Sequence, residues 1–265
     1  MNILMIGDIY GKSGRQAALQ YIPILKTKYQ LAMVVANGEN AAGGVGITKK
    51  VLDEIFSAGV DVVTSGNHIW DKKEIFQFID EEPYLIRPAN YPPQTPGKGY
   101  CIFEVNGKKI GVVNLSGRTF MPDMDCPFRK ADEILESLTT QCDMILFDFH
   151  AETTSEKMAM GWYLDGRITC MVGTHTHIQT SDERVLPKGT AYITDLGMVG
   201  PWNSVLGVDQ ELVVKKFLTG MPVRFDIATG PHVFCGLVIM INEQTNTVQK
   251  VKRIMIREDE MDNEI

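Results

Sequence analysis

The chain has 265 residues, of which 44% are hydrophobic, and its formal net charge at pH 7 is −7. A chain of this length and composition can bury a full core, so we expect one domain over residues 1–256, followed by an acidic, frayed tail over residues 257–265. The negative net charge argues against a protein that binds a nucleic-acid duplex through broad basic patches, but it does not exclude a small anionic substrate.

The cysteines and the apolar runs indicate the compartment. Five cysteines form no CxxC pair and lie mostly in apolar segments, which is typical of reduced, buried thiols. We find no signal peptide, and no apolar run approaches the roughly 20 residues that a membrane span requires. The expectation is a cytoplasmic protein without a membrane partner, and the sequence leaves open whether it forms homo-oligomers.

Strands and helices alternate in the first part of the chain. The Lys12-Ser13 pair is similar to part of a phosphate-binding P-loop, but Ile6 stands where that motif needs a glycine, so Ser13 is interpreted as a helix N-cap. The glycine-rich stretch after the second strand is either a phosphate-facing loop or a plain flexible loop. The predicted elements are strands at 2–8, 31–36 and 60–64, and helices at 13–29, 48–58 and from about Asp71.

The rest of the chain is richer in strands. Asn106-Gly107 between two apolar runs predicts a hairpin with a type I′ turn. Residues 83–99, 116–127 and 198–207 are interpreted as loops. Strands are predicted at 100–105, 109–115, 143–149, 168–172, 191–194, 222–228, 233–241 and 247–256, and helices at 128–140, 154–163 and 209–218. Early βαβ units followed by strands predict two packed sheets with helices outside.

Five of the strand-like runs end in residues that can bind metal ions. The carboxyl ends of parallel strands share one sheet edge, where open α/β sheets bind ligands. For any single Asp or Asn a turn or capping role is the simpler interpretation, whereas the whole set favours a convergent site. These strand-end residues are Asp8, then Glu39 with Asn40, then Asn67 with His68, then His150, and finally His175 with His177.

The chemistry of this set indicates the number of metals. Two carboxylates, one amide oxygen and three imidazoles (Asp8, Glu39, Asn67, His150, His175 and His177) are too many ligands for one four-coordinate zinc ion. They suit two ions about 3.5–4 Å apart that share a bridging carboxylate, an arrangement that serves phosphoryl transfer.

The motifs also resemble those of a known family. Gly66-Asn67-His68, the lone His150 and Gly173-x-His175-x-His177 resemble the calcineurin-like metallophosphoesterases in type and order. The stretches GDIYG, NGENAAGG and SGNHIWD are similar to the YmdB-type branch of bacterial cyclic-nucleotide phosphodiesterases, and the resemblance covers essentially the whole chain. It implies an α/β fold, namely a four-layer αββα sandwich of two packed mixed sheets with outer helices.

The resemblance further implies the ligands. The usual D-x-H opening is Asp8-Ile9-Tyr10 in this chain, and Glu39 replaces the usual bridging aspartate. Asn40 is expected to fill the vacated coordination position through its side-chain oxygen. Iron or manganese is the expected metal pair. The implied ligands are Asp8, Glu39, Asn40 and His177 for one ion, and Glu39, Asn67, His150 and His175 for the other.

The activity implied is hydrolysis of cyclic nucleotides, most of all 2′,3′-cyclic nucleotides, with a metal-bridging hydroxide as nucleophile and His68 as proton donor. Imidazole changes its charge near neutral pH, which suits protonation of a poor alkoxide leaving group. His68 as a further ligand or a packed core residue remains the alternative. Asp71 could orient His68, but a helix N-cap is the preferred interpretation for Asp71. Rival functions are a phosphomonoesterase or nucleotidase, and a metal-binding regulatory protein with little turnover.

The residues that hold the nucleoside are not identified by sequence. Three loops, at Arg87–Tyr91, Arg118–Phe120 and Trp202–Asn203, carry arginine or aromatic side chains near strand ends. An aromatic face can stack a base of any identity. Packing of the loops themselves explains these aromatic residues equally well.

Overall fold

The computed structural model describes residues 1–259, and within them the chain forms five α-helices and twelve β-strands. The helices are α1 (Gly11–Tyr29), α2 (Lys49–Ser57), α3 (Pro127–Gln141), α4 (Thr154–Leu164) and α5 (Gln210–Thr219). The strands are β1 (Asn2–Ile9), β2 (Leu31–Asn37), β3 (Val62–Thr64), β4 (Tyr100–Val105), β5 (Lys108–Ser116), β6 (Met144–His150), β7 (Cys170–Thr174), β8 (Arg184–Val185), β9 (Ala191–Ile193), β10 (Met198–Pro201), β11 (His232–Ile241) and β12 (Val248–Arg257). None of these helices has the length and apolarity to cross a membrane.

Two six-stranded mixed sheets form the centre of the described chain. One has the order β12-β11-β10-β1-β2-β3, and the other has the order β4-β5-β6-β7-β9-β8. In the first sheet β10, β1, β2 and β3 run parallel, and in the second β5, β6, β7 and β9 do so. The carboxyl ends of these parallel strands therefore gather polar residues at one edge of each sheet.

Successive side chains of a strand point to opposite faces of its sheet, and this alternation separates the core between the sheets from the two outer cores. Ile3 and Met5 of β1 join the core between the two sheets, whereas Leu4 and Ile6 pack in the cluster that includes α1 and α2. The outer face of the second sheet packs against α3 and α4 in the same way. Both faces of each sheet are covered, which confirms the predicted αββα sandwich.

Most of the predicted elements occur within a few residues of their expected bounds. At the hairpin, Asn106 and Gly107 have φ angles of 52° and 72°, as a type I′ turn requires. The N-cap prediction for Ser13 is wrong, since α1 already begins at Gly11 with Tyr10 as its N-cap. The physical reason is Gly11 itself, whose φ of 60° turns the chain into the helix immediately after β1.

Three predicted segments differ from the structure. The stretch 198–207, interpreted as a loop, contains the buried strand β10, which sequence missed because only four residues lie between the flanking turns. The predicted strand at 222–228 is limited to an isolated bridge at Ile227. The helix expected near Asp71 is a short 3-10 helix over Lys73–Gln77. In the predicted tail, Arg257 belongs to β12, and residues 260–265 lie outside the described chain.

Candidate metal centre

Four side chains meet at the edge of the two sheets. Glu39, His150 and His175 offer ligand atoms that all lie within 4.8 Å of one another. Three atoms surround Nε2 of His150: Glu39 Oε1 at 3.0 Å, His175 Nδ1 at 3.0 Å and Asn67 Oδ1 at 3.1 Å. An imidazole nitrogen carries at most one hydrogen, so only one of these contacts can be a hydrogen bond donated by His150. A divalent cation suits the whole set, since each group can turn a lone pair toward it.

Asp8 and Asn40 supply a second group of oxygens beside this cluster. Both side chains are buried, with exposed fractions of 0% and 4%. Oδ2 of Asp8 accepts a hydrogen bond from the His175 backbone amide at 3.1 Å, and Nδ2 of Asn40 donates to the Gly44 carbonyl at 3.0 Å. Within residues 1–259, Oδ1 of Asp8 and Oδ1 of Asn40 have no hydrogen-bond partner. Two buried oxygens oriented in this way fit a hard cation.

His177 is the last of the predicted ligands. Its Nδ1 lies 3.0 Å from the Leu206 carbonyl oxygen, which can only accept, so Nδ1 carries the hydrogen and donates it. The lone pair of this imidazole is then on Nε2. The Tyr10 ring packs edge-on against the His177 ring at a centroid distance of 5.4 Å and fixes its plane. The structure thus presents His177 in the form that binds metal ions.

The buried ionisable groups of the cluster shift one another's pKa values. Burial raises the pKa of Asp8 to about 6, although the charges of His177 and His150 act to lower it. Burial would also raise the pKa of Glu39, but the charge and hydrogen bond of His150 lower it to about 2. Burial lowers the pKa of His150, but Glu39 and Asp8 raise it to about 9. Burial, and then the charge of His150, lower the pKa of His175 to about 3.

A buried chain of hydrogen bonds orients His150 from behind, and sequence reasoning missed it. Nδ1 of His150 lies 3.0 Å from Oγ1 of Thr174, whose hydroxyl donates to Asp148 Oδ1 at 2.7 Å. Because the carboxylate can only accept, the hydroxyl proton points at Asp148 and the hydroxyl oxygen accepts Nδ1–H of His150. Burial raises the pKa of Asp148, and hydrogen bonds from Thr174, Thr64 and Asn37 oppose the rise. Nε2 is thereby directed into the cluster, where it would offer its lone pair to a cation once it releases its proton.

Asn37 and Gly66 shape the turns that carry the ligands. The side-chain oxygen of Asn37 accepts the Glu39 backbone amide at 3.1 Å, and its Nδ2 donates to the Ser65 carbonyl at 3.1 Å. A Cβ at Gly66 would lie 2.3 Å from Nε2 of His150 and 2.4 Å from Oε2 of Glu39. Any side chain at position 66 would therefore fill the centre of the cluster. The signal for Asn37 was present in the sequence as another polar strand end.

His68 lies beside the cluster and is partnered differently from our expectation. Its Nδ1 is 2.8 Å from Oδ2 of Asp71, and its backbone amide donates to Oε2 of Glu39 at 2.9 Å. The N-cap prediction for Asp71 is wrong, since the N-cap of the 3-10 helix is Lys72 and has no side-chain capping bond. Asp71 instead orients the imidazole. Side-chain exposed fractions of 37% for His68 and 44% for Asp71 leave both accessible to solvent.

The first substrate-loop candidate is largely structural. The Arg87 guanidinium is buried and donates to the carbonyls of Pro88, Thr95 and Pro96 at 2.8–2.9 Å, so it holds its own loop. The amide of Asn90 donates to the Ser116 and Asp125 carbonyls and ties the ends of the next loop together. Neither side chain is free to contact a nucleoside.

The aromatic candidates differ in what surrounds them. Tyr91 packs edge-on against Trp70, which stacks on Phe76 with an interplanar angle of 7°, so a cluster of three rings adjoins the His68 turn. Phe120 is 88% exposed at the tip of its loop, with a φ of 60°. The Arg257 guanidinium covers the Trp202 ring at 5.1 Å from its centroid. Phe120 is therefore the most accessible of the three candidates, and Trp70 is an aromatic neighbour of Tyr91 that sequence reasoning did not single out.

Comparison with known proteins identifies the family of the chain. Residues 4–254 match the family model described as YmdB-like protein. A 2′,3′-cyclic-nucleotide 2′-phosphodiesterase of Bacillus subtilis (strain 168) is 53% identical over 261 residues, which covers 98% of this chain and 99% of that protein.

Two solved structures superpose on nearly the full chain. A crystal structure of a hypothetical protein from Thermus thermophilus is 40% identical with a TM-score of 0.91 and covers 97% of this chain and 99% of its own. A crystal structure described as a novel phosphatase of Mycoplasma pneumoniae is 36% identical with a TM-score of 0.92. The match covers 97% of this chain and 93% of the M. pneumoniae chain. The match over residues 4–254 and the 53% identity show that the chain belongs to the YmdB-like protein family.

Proposed function

We propose that the protein is a metal-dependent phosphodiesterase that hydrolyses cyclic nucleotides, with 2′,3′-cyclic nucleotides as its main substrates. The observation that carries the proposal is the convergence of Glu39, Asn67, His150 and His175 on one point, beside the unpartnered oxygens of Asp8 and Asn40. The name of the B. subtilis relative supports the substrate class. We also propose that residues 1–256 act as one domain, because both sheets contribute to a shared core.

Two divalent ions, iron or manganese, are the proposed cofactors. One is assigned to Asp8, Glu39, Asn40 and His177, and the other to Glu39, Asn67, His150 and His175. Glu39 is the residue common to both sets, and its full burial keeps the carboxylate charge unscreened by water. Mixed nitrogen and oxygen ligation without thiolates suits these metals.

The proposed reaction forms one bond to phosphorus and breaks another. The metal ions, when bound, supply a hydroxide nucleophile and offset the negative charge that develops on the phosphoryl oxygens. As the new P–O bond forms, the bond from phosphorus to one ribose oxygen breaks, and its electron pair stays on that oxygen. His68 donates its Nε2 proton to the departing oxygen, while Asp71 holds Nδ1 and stabilises the protonated ring. The product is a nucleoside monophosphate.

A phosphomonoesterase is the second candidate, because the M. pneumoniae structure at 36% identity is described as a phosphatase. The same metal centre can attack a monoester, so the substrate separates the two functions. The half-exposed His68 matters more for a diester, since its ribose alkoxide is a poor leaving group.

The test compares the two substrate classes on the manganese- or iron-loaded protein. Steady-state kinetics with a 2′,3′-cyclic nucleotide and with the matching nucleoside monophosphate give kcat/KM for each. We expect the cyclic diester to react at least about tenfold faster, equivalent to about 1.4 kcal/mol in the barrier. A higher kcat/KM for the monoester would make the protein a phosphatase, and no turnover of either would refute the enzyme assignment. Anomalous scattering at several metal edges identifies the bound ions and their number.

A further inference from the structure

We propose that the buried ion pair between Lys157 and Asp195 is a positioning device for the two histidines after β7. It acts through Thr176, the residue between His175 and His177, and it sets how tightly the centre binds metal. The proposal rests on the metal ligation proposed above. Of the three residues, Lys157 and Asp195 lie outside the motifs described above.

The ion pair is fully enclosed. Lys157 of α4 is 0% exposed and Asp195 is 1% exposed, and Lys157 Nζ lies 2.6 Å from Asp195 Oδ2. The same Oδ2 accepts hydrogen bonds from Thr176 Oγ1 at 2.6 Å and from the Thr176 backbone amide at 3.2 Å. Oδ1 accepts the Gly197 amide at 2.8 Å. Asp195 thus receives four donors, and two of them belong to Thr176.

The loop needs such an external contact because its own backbone is unfavourable. His175 and His177 have φ angles of 99° and 64°, in the left-handed region that non-glycine residues rarely adopt. Strained backbone of this kind persists only where surrounding contacts determine it. Thr176 lies between the two strained residues. Its two hydrogen bonds to Asp195 therefore fix the direction in which each imidazole leaves the chain.

Lys157 is the positive partner of the buried Asp195 side chain. A buried carboxylate without a positive partner is strongly unfavourable. The stem of Lys157 also packs on the end of β7, where a Cβ at Gly173 would lie 2.8 Å from Lys157 Cδ and 1.8 Å from the Thr194 carbonyl oxygen. Close packing therefore joins helix α4, strand β7 and the segment after β9 next to residues 175–177.

The decisive variant is Thr176→Val, which removes the hydroxyl but leaves the ion pair intact. We expect the apoprotein to keep its melting temperature within a few degrees, while its affinity for manganese, measured by calorimetry, falls about 10–100-fold, the usual effect of losing an outer-shell partner. Thr176→Ser restores the hydroxyl and should recover the affinity. The matched control is Thr180→Val: Thr180 Oγ1 accepts the Asp195 backbone amide at 3.0 Å from the other side, so manganese affinity should be unchanged.

The ion pair is tested with the double variant Lys157→Met/Asp195→Leu, which removes both buried charges and the side-chain acceptor of Thr176, and avoids leaving one charge unpaired. Its affinity for manganese should also fall, and adding Thr176→Val should cause little further loss, because both changes remove the same contact. Wild-type affinity in Thr176→Val, or losses that add in the triple variant, would overturn the positioning role. Failure of the wild-type protein to bind manganese would instead overturn the metal assignment itself.

Discussion

Replacing His68 with alanine separates proton donation from metal binding. The backbone amide of residue 68, which donates to Glu39 Oε2 at 2.9 Å, survives the substitution, so both metals should stay bound. The value of kcat should fall by the usual contribution of a general acid, on the order of 10²–10⁴-fold, or about 3–5 kcal/mol in the activation barrier. Asp71→Asn should cost much less, roughly fivefold or below, because an ion pair this exposed contributes only about 0.2–1 kcal/mol.

The assay uses two diesters that differ only in their leaving group. With a cyclic nucleotide, His68→Ala should show the full loss, and with a nitrophenyl diester, whose leaving group needs no proton, most of the activity should remain. Metal content per chain is measured in parallel. An equal loss on both diesters would refute the acid role, and loss of one metal equivalent would identify His68 as a ligand.

Four further outcomes are expected. Glu39→Gln removes the buried charge shared by both metal sets, so activity should fall by about 10³-fold or more with the fold intact; normal turnover with full metal content would contradict the dinuclear assignment. Gly66→Ala places a methyl group in the cluster and should reduce metal content measured by mass spectrometry. Chelation should lower the melting temperature by about 5–10 °C relative to protein in manganese at about 100 times its dissociation constant. Among Tyr91→Ala, Phe120→Ala and Trp202→Ala, the exposed Phe120 variant should most weaken hydrolysis of a cyclic nucleotide relative to a base-free diester; no selective loss in any would exclude base stacking.

The sequence predicted the residues that meet at the candidate centre better than the groups that support them, for a physical reason. Asp8, Glu39 and His150 follow apolar strands directly, and strand order alone brings such positions to one edge. Asp148 could have been found, because it precedes His150 by two residues and so faces the same side of β6. Lys157 could not, since its partner Asp195 is 38 residues away and only the packing of α4 on β7 joins them. Orientation of His68 by Asp71 was ranked below helix capping, because both roles place an aspartate at the same position of the sequence.

The metal centre lies across both sheets, and this explains why its supports are buried polar groups. Asn37 ends β2 of the first sheet, and its Nδ2 lies 3.2 Å from Asp148 Oδ2 of β6 in the second sheet. Glu39 depends on the first of these residues and His150 on the second, so the distance between the two ligands is set by how the sheets pack. The apolar core between the two sheets therefore fixes the spacing of the candidate centre as well as stabilising the fold.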